Sequence, residues 1–437
     1  MHRPLTIALV SASDLDGEHV QAVHIREIAR ALGRPVSDDR DGHQVTVYTR
    51  RQDDAARTRS RLGSGAVLHQ IDAGPARPLS EDELLGHIRD FADGLRDRWT
   101  GPGRPDVVHA HGWIGGLAAC AVARELDIPY VMSPHGVSVT EQRAGRTVHR
   151  ARRRMETVLG REAAMVIAAC DDEANTLVRM GVPRKKIAVV PYGVDGDQYA
   201  QVGPAMPRGD RDRLVVVAAD LEDGGAGTAI RALVHAPDAE LAVVGGPDRE
   251  ELENDPAVHR LRLLAKELHV ADRVIFLGRM PRKTLPRLLR TARLALCLSP
   301  HQPSPLVPLE AMACGVPVVA TRAGGNADSV LDGITGLLVP GDRPVAVGRA
   351  IRRLLAEETT LHGYAIAAAD RAHSRFSWER IAAETARTYL KVLPPEPEPE
   401  IVPEPEIEAA AEAEADADLV PEPEPAPENE KVPAYTR

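Results

Sequence analysis

Residues Ser299 to Pro340 read SPHQPSPLVPLEAMACGVPVVATRAGGNADSVLDGITGLLVP, and the punctuation of this stretch decides the fold. Leu306 to Ala313 is apolar apart from Glu310, and Gly315 ends it, which predicts a short buried helix. Val316 to Thr321 is an apolar, largely β-branched run, as expected of a strand covered on both faces. Gly324-Gly325 then gives a bare backbone at the start of another helix, where a ligand can approach closely. A lone glutamate in an apolar helix is costly to bury without a partner, so Glu310 is the first site candidate. The alternative is a helix-end carboxylate in solvent.

Working outward, the same grammar recurs on both sides. Short apolar runs at Leu5–Val10, Gln44–Thr49, Val67–Ile71, Asp106–Ala110, Tyr130–Ser133, Val166–Ala169 and Ile187–Val190 alternate with helical patterns such as Gln21–Leu32, Glu81–Trp99 and Leu117–Leu126. After a polar linker at Pro204–Arg213, strands are expected from Leu214 and at Glu240–Val244, Val274–Leu277, Leu294–Leu298 and Leu337–Val339. Alternation of this kind builds parallel, doubly wound sheets, which bind ligands beyond the carboxyl ends of their strands. The informative residues are therefore those that follow strands.

The stretch at 299–340 resembles the donor-site signature of glycosyltransferase family 4, in EAMACGVPVVAT, AGGNAD and DGITGLLVP together. The resemblance covers about residues 5–393. It implies an α/β protein of two facing Rossmann-like domains, the GT-B architecture. Residues 1–203 would be the acceptor domain, 204–375 the nucleotide-sugar domain, and 376–393 a helix bracing the first. The activity implied is retaining transfer of a hexose from a nucleoside diphosphate sugar to a small acceptor. No cofactor or metal is implied.

The same resemblance distributes roles among the residues. Glu310 would hold the donor, with Leu306, Val307, Gly324 and Gly325 beside it, and the backbone of Gly278-Arg279-Met280 would read the base. His135, in SPHGV at a strand end, would face the donor sugar. Gly17, His19, His111 and Trp113 fall on the acceptor side. His109 and His111 alternate on one strand, so one of them points into the packing. The first helix, VYVRELARAL in the family, is VHIREIARAL here, and the glycine pair that usually precedes it is His19-Val20.

The charged part of the donor site departs from the pattern. The family's Gly-Arg-Leu-three residues-Lys-Gly becomes AADLEDGG, with Ala219 in place of the arginine and Gly224 in place of the lysine. Asp220, Glu222 and Asp223 add negative charge there, and the signature's first acid is Gln302. Arg322, next to Gly324, is a cation that could stand in. The residues thus support two readings: a glycosyltransferase, or an impaired relative that binds a nucleotide or sugar phosphate or pairs with an active homologue.

Composition narrows the surroundings. Aromatics are only 3% of residues and the first 393 carry a net charge of +2, so neither a stacking platform nor a basic body suggests nucleic acid. Seven arginines between Arg143 and Arg161 read as a basic helix facing a phosphorylated acceptor, a membrane surface or only solvent. Four scattered cysteines in apolar runs suggest buried thiols of a reduced compartment. With no long apolar run and no signal-like start, a cytoplasmic protein is expected. From Pro394 onward there are 14 acidic and two basic residues among repeated Pro-Glu, a composition expected to stay disordered.

Overall fold

A computed structural model describes residues 3–15, 17–35, 42–301 and 304–394. The acidic tail and Gln302 lie outside the described residues, except for Pro394. Residues 1–393 form one compact unit.

The first sheet contains β1 (Thr6–Ser11), β2 (Gln44–Arg50), β3 (Arg59–Gly63), β4 (Ala66–Ile71), β5 (Val107–His111), β6 (Tyr130–Ser133), β7 (Met165–Ala168) and β8 (Ile187–Val189). Their order is β3-β4-β2-β1-β5-β6-β7-β8, and every pair is parallel except β3 with β4. The second sheet contains β9 (Asp212–Val217), β10 (Ala239–Val244), β11 (Val274–Gly278), β12 (Leu294–Cys297), β13 (Val318–Thr321) and β14 (Gly336–Val339). It is wholly parallel, in the order β11-β10-β9-β12-β13-β14. These are the two Rossmann-like layers expected from the alternation of runs.

Three local differences have simple causes. The edge strand β3, RSRLG, is too polar to be read as a strand, and its arginines suit an unpaired edge. The strand expected from Val316 begins at Val318, because Pro317 has no N–H to give a ladder. The basic segment is not one helix. A helix ends at Arg143, Gly145 turns at φ +82°, and the next helix starts only at Arg152. Arg152 is drawn inward, bonded to Glu141 (3.0 Å) and Glu156 (2.7 Å), so it is structural and not part of an exposed basic face.

The halves are tied together at the C-terminal end. Val194 N–H donates to the Phe376 carbonyl (2.8 Å), and Ser377 caps the helix Trp378–Leu390. That helix packs against Val20–Gly33, with Ile381 and Tyr389 fully buried among Leu9, Ile25 and Ile28. Burying each such aliphatic side chain is worth about 1.5–3 kcal/mol.

Candidate functional site

Each sheet has one place where the chain changes direction across it. In the first this lies between β1 and β5, in the second between β9 and β12. A crevice opens at the carboxyl ends of such a strand pair. His111 ends β5, and the loops 218–225 and 298–301 follow β9 and β12. Two bonds cross between the halves there: Arg282 N–H donates to Glu18 Oε2 (2.9 Å), and Asp171 N–H donates to Asp328 Oδ2 (2.8 Å).

On the first side the structure assembles a chain of rings. His135 Nδ1 lies 2.6 Å from the Tyr192 hydroxyl, and its Nε2 lies 2.8 Å from His111 Nδ1. His111 is the strand residue that joins His135. His109, its neighbour on β5, turns into the packing and meets Tyr389 Oη (2.7 Å) and Ser133 Oγ (2.8 Å). His135 holds a left-handed backbone at φ +58°, which is strained for a residue with a Cβ, and Gly136 continues the turn at φ +98°. His24, from the first helix, packs its ring 5.1 Å from that of His135 and 4.6 Å from that of Tyr192.

Burial keeps this cluster neutral. It lowers His24 and His109 to about 3 and holds His111 and His135 well below the ordinary histidine range, with the neighbouring rings adding to the effect. Among the described residues, His24 Nδ1 and His111 Nε2 have no hydrogen-bond partner. The ring nitrogens of His24, His111 and His135 lie within 4.8 Å of one another, so among the described residues these three could hold a metal ion. Both nitrogens of His135 are already bonded, however, and a tetrahedral ion would have to break its bond to His111.

The other expected acceptor-side residues do not converge on this point. Trp113 is buried, donates to Glu81 Oε1 (3.2 Å) and stacks on His149. His19 is exposed and caps the first helix, accepting from Ala22 N–H (3.2 Å), with Gly17 packed beneath its ring.

On the second side Glu310 is 2% exposed and ion-paired with Arg282. Its Oε2 has no hydrogen-bond partner among the described residues. Burial pushes the Glu310 carboxyl up and Arg282 opposes this, while the Tyr199 hydroxyl lies beside both. The pair lines a pocket of about 290 Å³ to which both halves contribute, with Glu18 and Arg26 on one wall and Leu306 on the other. Arg282 follows Gly278-Arg279-Met280 after a single proline, yet carries no motif in the sequence. Of that trio, the Arg279 N–H is already used by the Pro247 carbonyl (2.8 Å) and the Gly278 carbonyl by Gly245 N–H (2.9 Å). Val307 is half-buried against the core of this half.

The loop after β9 is tightly folded. A Cβ on Gly224 would come within 2.3 Å of Ala218 Cβ and 2.4 Å of the Asp220 carbonyl, so a lysine there requires the loop to move. Gly225, at φ +88°, lies against the backbone of Leu298. Arg322 does not turn to this loop; it is exposed and pairs with Asp332 (3.2 Å). Gly324 lines a small cavity of about 20 Å³ with Gly136, Thr140 and His301, and Gly325 packs on Pro305. Arg146 approaches from the first half, 3.8 Å from Asp223.

Comparison with known proteins agrees with this fold. A family described as "Glycosyl transferases group 1" matches residues 207–371, and one described as "Glycosyl transferase 4-like domain" matches residues 21–193. A D-inositol 3-phosphate glycosyltransferase of Frankia alni is 30% identical over 399 residues, covering 85% of this chain and 94% of that one. The protein of that name from Acidothermus cellulolyticus is 32% identical over 395 residues, covering 82% of each. Among solved structures, a sucrose-phosphate synthase from Thermosynechococcus elongatus superposes with a TM-score of 0.76 at 23% identity, over 89% of this chain and 99% of that one. HepE of Anabaena, in complex with UDP and glucose, gives 0.69 at 19% identity, over 89% and 100%.

Proposed function

The chain belongs to glycosyltransferase family 4, the group 1 glycosyl transferases, and from that premise we propose that it moves a hexose, with retention, from a nucleoside diphosphate sugar to a small phosphorylated acceptor. Glu310 carries this reading. It is a buried carboxylate with one unbonded oxygen, on the wall of a pocket shared by both halves. A pair of ribose hydroxyls would satisfy that oxygen, and an unbonded buried acceptor otherwise costs about 1–3 kcal/mol. Structural neighbours titled as complexes with UDP and with UDP-glucose support a nucleotide sugar as donor. Relatives named D-inositol 3-phosphate glycosyltransferases support a phosphorylated acceptor.

In this reading residues 1–203 hold the acceptor, 204–375 hold the donor and 376–393 brace the first part. Arg282 keeps Glu310 ionised and fixed until the nucleoside arrives. His135, neutral and gripped by Tyr192 and His111, presents a hydrogen-bonding edge to the sugar without adding charge. The leaving diphosphate needs cations, and losing one preorganised stabiliser of that kind typically costs about 2.7–4 kcal/mol.

A second reading rests on that deficit. With Ala219 and Gly224 in the cationic positions and three acids beside them, the chain would bind a nucleotide or sugar phosphate, or pair with an active homologue, without transferring sugar. Titration calorimetry with UDP, ADP and GDP and their glucose conjugates tests both. Micromolar binding of one of them, weakened about tenfold or more by Glu310→Gln, is expected. Product formation with an inositol phosphate acceptor selects the first reading, and binding without turnover selects the second. If none of these ligands binds, the first reading is defeated and only pairing with an active homologue is left of the second.

A further inference from the structure

We propose that the cation missing from the loop after β9 is supplied from the other half of the molecule, and that Arg146 and His301 together bind the donor's diphosphate across the cleft. The inference rests on the nucleotide-sugar reading above, and it assigns a site that the family pattern does not contain at these positions.

Three observations converge on it. The first is the reach of Arg146. Its backbone is anchored where its N–H donates to the Glu141 carbonyl (3.0 Å), just after Gly145 turns the chain at φ +82°. From there its side chain crosses to the second half, where Nε lies 3.8 Å from Asp223 Oδ2. Asp223 belongs to the same short loop as Ala219 and Gly224, so this guanidinium stands beside the loop that has no cation of its own.

The second observation is His301. It follows β12, at the second sheet's change of direction, and is 8% exposed. The Ser299 hydroxyl donates to its carbonyl (2.7 Å), which pins the turn, while Nε2 of the ring has no hydrogen-bond partner among the described residues. The third is the space beside His301. The residue lines a small cavity with Gly324 from its own half and Gly136, Val137, Thr140, Asp172 and Glu173 from the other. Gly136 and Gly324 both have positive φ, and the Gly136 N–H donates to Glu173 Oε1 (2.8 Å).

The electrostatics favour exchange of partners. The Arg146–Asp223 pair is long and both side chains are over a third exposed, so it contributes little to stability and is readily broken. A phosphate offers the guanidinium two parallel charge-assisted bonds in place of one distant carboxylate. His301 is held below its ordinary range first by burial and next by Arg146, against the opposing pull of Glu141, Asp172 and Asp223. An arriving diphosphate reverses the field at the ring, so the unbonded nitrogen can donate to a phosphate oxygen and the ring can take up a proton. Because the groups come from opposite halves, the site is complete only when the halves are closed on the donor.

The test compares UDP with uridine by titration calorimetry on the full chain at fixed salt, with ADP/adenosine and GDP/guanosine in parallel. The wild type should prefer the diphosphate to its nucleoside. Arg146→Ala should cut that preference about tenfold or more, leaving nucleoside affinity and the melting temperature unchanged. Arg146→Lys should keep part of it, and Asp223→Asn should strengthen diphosphate binding by freeing the guanidinium. His301→Gln should give a smaller loss and flatten the pH dependence of diphosphate binding. An unchanged preference in Arg146→Ala overturns the proposal while leaving the donor reading intact. So does a variant altered only in its KM for a phosphorylated acceptor, which would assign Arg146 to that substrate. Failure of every diphosphate to bind the wild type overturns the donor reading itself, and this proposal with it.

Discussion

The two halves of the molecule repeat one fold and put their chemistry at the same topological position, but with opposite electrostatics. At the end of β5 the crevice gathers neutral rings: His24, His111 and Tyr192, which are buried, and His135, which is partly buried. Beyond β9, β11 and β12 it gathers ions: Glu310 with Arg282, and Asp223 with Arg146. A parallel sheet specifies where a ligand goes and leaves the character of the contact to the loop residues. A neutral cluster can be buried whole, because it costs no ion desolvation. An ionic site must be buried in pairs or left in contact with water.

The contrast predicts that acid breaks the first side. His24 and His109 titrate near 6.5 in the unfolded chain and are lowered to about 3 in the folded one. Between those values the unfolded state binds more protons, so their contribution is fully present above about pH 6.5 and is lost as pH falls towards 3. Each group costs up to about 1.4 kcal/mol per pH unit, so stability should drop on the order of 4 kcal/mol between pH 7.5 and 5. Urea unfolding across that range measures the drop, and His24→Phe should reduce the slope. A flat profile would mean that the rings are solvated.

Loss of a partner should break the second side. Glu310→Ala leaves the Arg282 guanidinium buried and unpaired, and should destabilise the protein by about 3 kcal/mol in urea unfolding at pH 7.5. Replacing both, as Glu310→Leu with Arg282→Leu, should recover most of that loss. If the single and double variants unfold alike, the pair is not the unit described here.

The smallest effect sharpens the comparison. Arg322 was a stand-in cation by sequence, but it is exposed and bonded to Asp332 on the surface. Arg322→Ala should change neither stability, within about 0.5 kcal/mol, nor diphosphate binding. A tenfold loss of diphosphate affinity in this variant would restore it to the donor site at the expense of Arg146.

How far the site was legible depended on the range of its interactions. The helix Leu306–Ala313 and the strand Tyr130–Ser133 fall where the runs put them, because their burial is written into consecutive apolar residues. Glu310 and His135 were legible as oddities, one an acid in an apolar helix and the other a ring before a glycine. Arg282, Tyr199 and His24 were not. Each looks like an ordinary surface or helix residue, and each acquires its role from a partner far away in the chain. The only local signal was in VHIREIARAL, where the family pattern has a tyrosine at the position of His24.

By itself, the sequence determined the two α/β layers and the strands that build them. These follow from periodicity and residue type, which act over a few neighbours. Only the tertiary structure decided that Trp113 turns into the core, that Arg322 faces solvent, that a lysine at Gly224 requires the loop to move and that Arg146 reaches that loop. Those outcomes depend on which strand ends are brought face to face. Packing settles that, through contacts between residues dozens to hundreds of positions apart.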